Sequence, residues 1–397
     1  MSYLDKLLDG IEVKWKPLSH AENGVAVLSR GRVMSKEYLA ENAGIYPVYS
    51  SQTAENGEIG RIQTFDHDDE SITWTTDGAN AGTVFHRTGK FSITNVCGLI
   101  KIINANELNY KFLFYWLSIE AKKHVYSGMG NPKLMSNQMA KIQIPVPPLS
   151  IQNEIVRILD TFTELTAELT AELTARRKQY NYYLEELFSF EEGKVKYLPL
   201  GDNSIGEFTR GGGLQKKDFT ETGVGCIHYG QIYTYYGTYT DKTKTFVSEE
   251  FAKKARKAKY GDLVIATTSE NDEDLCKAVA WLGDEEIAVS SDACFYTHNL
   301  HPKYVAYFFQ TEQFQKQKRP FITGTKVRRV NADDLAKIKI PVPSPDEQER
   351  IVSILDKFDT LTTSISEGLP KEIELRQKQY EYYRDMLLTF RNDNLKA

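Results

Sequence analysis

The chain has 397 residues, of which 41% are hydrophobic and 26% charged, a globular composition that excludes disordered and fibrous chains. That length corresponds to two or three domains. The formal net charge of −5 argues against a simple basic nucleic-acid binder, yet DNA binding depends on how charge is distributed, not on its sum.

The N-terminus, Met1–Lys6, lacks the apolar core of a signal peptide, and no apolar run reaches the ~18 residues of a membrane-spanning helix. Cys97, Cys226, Cys276 and Cys294 are far apart and form no C-x-x-C pair, against a zinc ribbon or a disulfide framework. A reducing cytoplasm is the expected compartment. Ser2–Gly10 followed by Val13–Leu18 resembles Tyr183–Phe188 followed by Val195–Leu200, so the chain begins with the end of a repeated unit. This predicts that the N-terminal segment packs beside the C-terminal helix.

Block 15–149 and block 197–343 share punctuation but differ in filling. Leu28–Gly31 parallels Phe208–Gly211, Pro47–Gln52 parallels Cys226–Gln231, and Ile72–Thr76 parallels Val264–Thr268. Tyr110–Tyr115 parallels Pro302–Tyr307. Short β-rich segments followed by an aromatic helix predict an α+β domain in each block. Cys97 and Cys294, placed two residues after Asn95 and Asp292, read as matching buried strand cysteines.

Residues 141–162 and 337–358 are nearly the same sequence at an offset of 196, with Pro145/Pro341, Gln152/Gln348, Asp160/Asp356 and Phe162/Phe358 in register. Farther on, Tyr180–Tyr183 matches Tyr380–Tyr383 at an offset of 200, so the second copy carries four extra residues. Each copy alternates into a proline-limited edge strand and then enters a helix. Apolar residues recur at helical spacing from Ile155 to Leu187 without Gly or Pro, predicting a helix of ~40 residues and ~60 Å, of coiled-coil type. Its middle is a tetrapeptide array with Leu165, Leu169 and Leu173 four residues apart. In the second copy Gly368 and Pro370 predict a break. The expected organisation is an N-terminal segment 1–14, a domain 15–149, a spacer helix 150–196, a domain 197–343 and a C-terminal helix 344–397. Together these are two α+β domains separated by two long antiparallel coiled-coil helices in a circularly permuted, pseudo-twofold repeat.

Motifs for catalysis are missing. There is no phosphate-binding G-x-x-x-x-G-K-[ST] and no G-x-G-x-x-G after a strand. Asn131-Pro132-Lys133 fails the N/D-P-P-aromatic pattern of amino-methyltransferases at its third position. The histidines show no metal-ligand spacing, and the acidic runs 66–70 and 270–274 read as solvated turns rather than calcium loops. The run Ala252–Lys259 reads as a uniform basic helix, facing phosphate or solvent.

Two divergent domains alternate with two matching helices that carry IPVP, then Q-x-x-I-V-x-I-L-D-x-F, then R/Q-K-Q-Y-x-Y-Y. This resembles, over essentially the whole chain, the specificity subunit of type I restriction-modification systems, closest to the IC branch. The resemblance implies a non-catalytic subunit whose two domains each read half of a bipartite site in double-stranded DNA. It implies partners: two methyltransferase subunits, which hold S-adenosylmethionine and methylate adenine at N6, and two restriction subunits, which use ATP and Mg. This chain itself would hold no cofactor and no metal. It also implies a bacterial cytoplasmic protein, associated with the nucleoid through DNA. The helices would set the gap between half-sites and dock partners, with Leu165, Leu169, Leu173, Tyr180, Leu361 and Tyr380 on their seams. The alternative is a coiled-coil scaffold of a multisubunit complex that reads no sequence.

Base discrimination needs Arg for guanine, Asn or Gln for adenine and carboxylates for cytosine, with Lys, Ser and Thr on phosphates. By position in the repeat, three loops per domain are nominated. The first holds Arg30, Arg32 and Lys36, matched by Arg210, Lys216 and Lys217. The second holds Tyr49, Ser50, Ser51 and Gln52, matched by His228, Tyr229 and Gln231. The third holds Asn131 and Lys133 after Gly128, matched by Thr325, Lys326, Arg328 and Arg329 after Gly324.

The net charge resolves along the repeat. Residues 150–193 and 344–397 carry −5 and −3, whereas 1–149 is neutral and 194–343 carries +3. The reading domains therefore offer little excess charge for counterion release. The chain alone is expected to bind DNA weakly, and tightly only within its assembly. Fluorescence anisotropy at ~150 mM salt checks this; a nanomolar, sequence-specific affinity for the isolated chain would be the contrary result.

Overall fold

The computed structural model describes residues 10–127, 130–364 and 367–390. The chain divides into two compact units: one runs up to Thr166 and resumes at Arg376, and the other is Ala167–Leu375. Both are α+β. The expected packing of the N-terminal segment rests on residues 1–9, which lie outside the described residues.

In the first unit, strands Ala26–Arg30, Cys97–Ile102, Ser71–Thr75 and Val84–Arg87 form an antiparallel sheet in that order. A second sheet has the order Glu58–Ile62, Ala43–Tyr49, Lys90–Ile93, His67–Asp68, with Ala43–Tyr49 parallel to Lys90–Ile93. The aromatic helix Tyr110–Glu120 turns Phe112, Leu113 and Leu117 into a core with Trp74, Ile100 and Leu134.

The second unit repeats the plan with one more strand in each sheet. One sheet runs Gly206–Arg210, Ala293–His298, Leu263–Ala266, Ala278–Trp281, Tyr239–Thr240. The other runs Phe219–Thr220, Thr245–Val247, Val224–Ile227, Ile287–Val289, Lys257–Ala258. The aromatic helix is Pro302–Phe308, with Tyr304, Val305, Tyr307 and Phe308 buried.

The duplicated sequence builds the same frame twice. The proline-limited strand Gln143–Val146 pairs antiparallel with Lys14–Pro17, and Lys339–Val342 pairs with Lys196–Pro199. Just after the prolines, a fully buried Gln152 accepts the Asn109 N–H at 2.8 Å and donates to the Pro147 and Glu107 carbonyls, both at 2.8 Å. Gln348 accepts the His301 N–H at 2.9 Å and donates to the Pro343 carbonyl at 3.0 Å. Two turns on, Asp160 accepts the Tyr115 hydroxyl at 2.7 Å and pairs with Lys111 at 2.6 Å. Asp356 does the same with Tyr307 at 2.6 Å and Lys303 at 2.7 Å. Phe162 stacks on Tyr383 with ring centroids 5.3 Å apart, and Phe358 stacks on Tyr183 at 5.3 Å.

The first long helix is Leu149–Leu187, 39 residues and about 58 Å at ~1.5 Å per residue. Its counterpart is broken into Pro345–Thr363 and Gly368–Leu387. Ser344 caps the first piece by accepting the Glu347 N–H. The break falls between Phe358 and Tyr383, the interval that holds the four extra residues. Gly368 has φ +80°, and a Cβ there would lie 2.4 Å from the Thr360 carbonyl oxygen, so only glycine fits the turn-back. Of the seam residues, Tyr180 is buried, with its hydroxyl on Gln310 Oε1 at 2.6 Å; Tyr380, Leu169, Leu173 and Leu361 are half-buried, and Leu165 is 38% exposed.

Three sequence registers shift by one residue; in one, Trp74 faces Gly98 as Ile265 faces Cys294, so Ile72–Thr76 aligns with Leu263–Thr267 rather than Val264–Thr268. Tyr49 aligns with Ile227 rather than His228, because Thr94 N–H donates to the Tyr49 carbonyl as Ser290 N–H does to Ile227. Cys294 aligns with Gly98, not Cys97: Arg30 faces Gly98 and Arg210 faces Cys294. The Trp74 ring occupies the space that a Cβ at residue 98 would need, so the wide core residue of one domain forces glycine opposite it. Both cysteines are buried in strands, and burial pushes the Cys97 thiol up to about 12. The basic stretch is not one helix. Helix Glu249–Lys254 ends at Ala255, and Lys257–Ala258 is an edge strand pairing with Ile287–Ala288.

Removing the Gln152 amide orphans the buried Pro147 carbonyl and the part-buried Asn109 N–H and Glu107 carbonyl, and a buried group left unpaired costs about 1–3 kcal/mol. Gln152→Ala is therefore expected to lower stability by at least that range. Denaturant unfolding monitored by intrinsic fluorescence reads it.

Candidate functional site

In each unit one tight turn gathers the nominated loops. In the first it is Thr94–Val96. Gly31 crosses it so closely that a Cβ would lie 1.9 Å from the Ile93 carbonyl oxygen. That crossing points Arg30 at the turn, where its Nη1 donates to the Asn95 carbonyl at 3.0 Å and its Nε to Ser136 Oγ at 3.2 Å. Ser50 Oγ shares a hydrogen bond with Thr94 Oγ1 at 2.8 Å, and Ser51 and Thr76 hydroxyls both donate to the Val96 carbonyl. The Asn95 N–H donates to the Arg32 carbonyl at 3.0 Å.

The third loop joins through the backbone. Tyr126 and Lys133 exchange N–H···O bonds, Asp77 bridges to Lys133, and the Gly78 N–H donates to the Pro132 carbonyl at 3.0 Å. Asn131 and Lys133 are exposed on this hairpin, whose residues 128–129, including the predicted Gly128, lie outside the described residues. Arg30, Ser50, Ser51, Asn131 and Lys133 are thus brought to one end of the domain. Others have separate work. Arg32 donates to the Tyr38 hydroxyl at 2.9 Å and to Asp66 at 3.1 Å. Lys36 is exposed on helix Lys36–Glu41. The Gln52 amide donates to the Glu58 carbonyl. Tyr49 is half-buried under the Arg87 guanidinium, 3.6 Å from its ring centroid.

In the second unit the corresponding turn is Ser290–Asp292. Gly211 crosses it, with a Cβ position only 2.0 Å from the Ser290 carbonyl oxygen. Arg210 Nε donates to the Ser291 carbonyl at 3.4 Å, and the Tyr229 N–H to Ser290 Oγ at 2.9 Å. The hairpin is closed by Thr323 and Arg329, which exchange N–H···O bonds of 2.9 Å, and Arg328–Arg329 pairs with Thr268–Ser269. Gly324 has φ +86°, and Thr325, Lys326 and Arg329 are exposed. Lys216 and Lys217 are exposed on a short 3-10 turn.

His228 and Gln231 have structural work at a helix start. His228 is 8% exposed and caps helix Tyr229–Thr234, its Nδ1 accepting the Gly230 N–H at 3.2 Å. Burial lowers its pKa, as does nearby Lys216. Gln231 closes the capping box by accepting the His228 N–H at 3.0 Å and donates to Thr245 Oγ1 at 3.0 Å. His228 Nδ1 and the Gln231 side-chain oxygen hold the helix start.

The structure also brings in residues the sequence reading passed over. Asn80, exposed, donates to Thr53 Oγ1 at 3.1 Å and carries the loop after Thr75 beside the others; Asn95 is exposed on the turn itself. In the second unit the loop after Thr268 is the acidic run 270–274. The glycines Gly78 and Gly82, both at positive φ, were the available signal for the first of these loops. The acidic run 66–70 is paired rather than merely solvated: Asp66 with Arg32, Asp69 with Lys101 and Glu70 with His86. Among the described residues no group of three or more His, Cys, Asp or Glu side chains could hold a metal ion.

Residues 19–176 and 198–375 match the type I restriction modification DNA specificity domain, once per unit of the repeat. The chain belongs to the type I restriction-modification specificity-subunit family. It is 34% identical over 420 aligned positions to the type I restriction enzyme EcoR124I/EcoR124II specificity subunit of Escherichia coli, covering 98% of this chain and 97% of that one. The fold resembles that of a type I restriction-modification S subunit from M. genitalium, with a TM-score of 0.61 at 17% identity over 99% of this chain and 100% of that one. A chain from a structure of type I restriction-modification assembly and conformational transition gives 0.58 at 13% identity over 96% and 98%. No helix among the described residues is long and apolar enough to cross a membrane.

His228→Ala is expected to cost about 0.5–2 kcal/mol, the worth of a helix N-cap. The recognised sequence should stay unchanged. Thermal unfolding together with mapping of methylated adenines in a host carrying the variant separates the two effects.

Proposed function

We propose that each domain reads one half of a bipartite, asymmetric target in double-stranded DNA, and that the helices set the gap between halves and dock two methyltransferase subunits. The complex methylates adenine at N6 and, with two restriction subunits, cleaves DNA at the expense of ATP. In this reading the chain is non-catalytic and holds no cofactor: S-adenosylmethionine belongs to the methyltransferase subunits, and ATP and Mg to the restriction subunits. The protein works in the bacterial cytoplasm, on the nucleoid.

The observation that carries the reading is a frame whose main hydrogen bonds repeat beneath two different loop sets. The Gln152/Gln348 and Asp160/Asp356 contacts agree to within about 0.1–0.2 Å, whereas the loops after Thr75 and Thr268 share neither sequence nor charge. Constant mounting with variable tips suits two readers of unrelated half-sites. The tips offer arginine, asparagine, serine and lysine, the donors and acceptors that base edges and phosphates require.

Partner docking has its own support. Tyr182 and Tyr382 are 62% and 65% exposed, each edge-on to its neighbour Tyr183 or Tyr383 at 5.5 and 5.3 Å. The same exposed aromatic pair occurring twice fits a partner present in two copies, and tyrosine is an enriched anchor of interfaces.

Replacing residues 197–343 by the corresponding block of another family member should change one half of the methylated sequence and leave the other intact. Single-molecule sequencing of modified adenines in the host genome reads the motif. A change in both halves, or equal affinity of the assembled complex for cognate and scrambled DNA, would favour the scaffold alternative.

A further inference from the structure

The acidic loop after Thr268 lies against the hairpin that carries Arg328 and Arg329. It is held rigidly. Lys318, 0% exposed, donates its ammonium to the Asp272 carbonyl at 2.8 Å, the Leu275 carbonyl at 2.7 Å and the Glu273 carbonyl at 3.5 Å. Asn271 Nδ2 donates to Asp274 Oδ2 at 2.8 Å, and its Oδ1 accepts the Asp274 N–H at 2.7 Å. Cys276, buried with φ +69°, closes the loop in a conformation side chains rarely take. A backbone so constrained fixes where the loop's carboxylates stand.

One of them stands on an arginine. Asp272 Oδ1 is 2.9 Å from Arg328 Nε, while Arg328 Nη1 donates to the Gly324 carbonyl at 2.7 Å. Both side chains remain partly open to solvent, at 50% and 35%. A guanidinium in this place would otherwise attract any DNA phosphate, irrespective of sequence. Its carboxylate partner cancels that charge. Specificity is a difference of affinities, so a group that penalises wrong sites sharpens the choice as much as one that rewards the right site.

We propose that Asp272 is a specificity-determining residue of the second domain, an internal partner that keeps Arg328 from contacting phosphate indiscriminately while a cognate half-site engages the remaining guanidinium N–H groups with the ion pair intact. This rests on the DNA-reading function proposed above. In the first domain the loop after Thr75 has a single carboxylate, Asp77, whose charge acts on Arg30.

The test uses the chain assembled with its methyltransferase subunits. Dissociation constants are measured for the cognate duplex and for duplexes with single substitutions in either half-site. Asp272→Asn should tighten binding to duplexes altered in the half read by residues 197–343, by roughly 1.5- to 5-fold, the range of an exposed ion pair. It should change cognate binding less and leave discrimination in the other half untouched. In an Arg328→Gln background the effect should vanish. Asp272 is exposed, so the substitution leaves the core intact. No change in second-half discrimination, an equal change in both halves, or an effect that persists without Arg328 would each overturn the inference. If the unaltered complex fails to distinguish cognate from scrambled DNA, the reading function fails instead, which is a separate outcome.

Discussion

A buried glutamine amide fixes each domain to its long helix. When Gln152 or Gln348 is sealed from water, its oxygen and nitrogen must find partners or cost free energy. The partners are backbone groups from two directions: the residue that opens the aromatic helix, and the proline carbonyl that ends the exit strand. An amide has one donor end and one acceptor end, so the arrangement admits a single orientation. The proline before the helix cannot offer an N–H, which leaves its carbonyl as the group to be satisfied. Asp160 and Asp356, two turns farther on, repeat the logic with a tyrosine hydroxyl and a lysine.

With the mounting fixed, the loops are free to differ. In each unit the nominated tips converge on one turn through backbone carbonyls and small hydroxyls, and backbone groups are present whatever the side chains are. A glycine on the crossing strand permits the approach in both units, at Gly31 and Gly211. Arg30 and Arg210 each reach a carbonyl of that turn. Side chains on the tips can therefore change without disturbing the hub. The inner pair of arginines would be constant furniture, and discrimination would fall to the outer residues.

The frame was readable in the sequence because helical periodicity, proline punctuation and a 196-residue repeat survive in one dimension. The broken helix was readable from Gly368 and Pro370. The site was readable only in part. A one-residue shift between divergent strands cannot be seen without the hydrogen-bond ladder, which is why His228 was matched to Tyr49 and Cys294 to Cys97. His228 stands in a nominated loop by its position in the repeat, but the capping box it forms with Gln231 depends on backbone dihedrals. Likewise the run 252–259 has helical charge density, yet sheet pairing with Ile287–Ala288 claims its second half.

The acidic loop shows how such misreadings arise and what they hide. Five residues containing four carboxylates suggest solvation, and the side chains are indeed exposed. Its backbone tells otherwise, because burying a lysine is tolerable only when its donors are well matched. Lys318 meets that condition with the carbonyls of this loop. A solvated turn needs no such anchor, and a protein that gains nothing from the loop's position could leave it loose at lower cost. The expense is concentrated in the domain whose segment carries the positive excess, where indiscriminate attraction to phosphate would be greatest. The net charge of the chain thus conceals an arrangement in which acidic groups temper a basic edge.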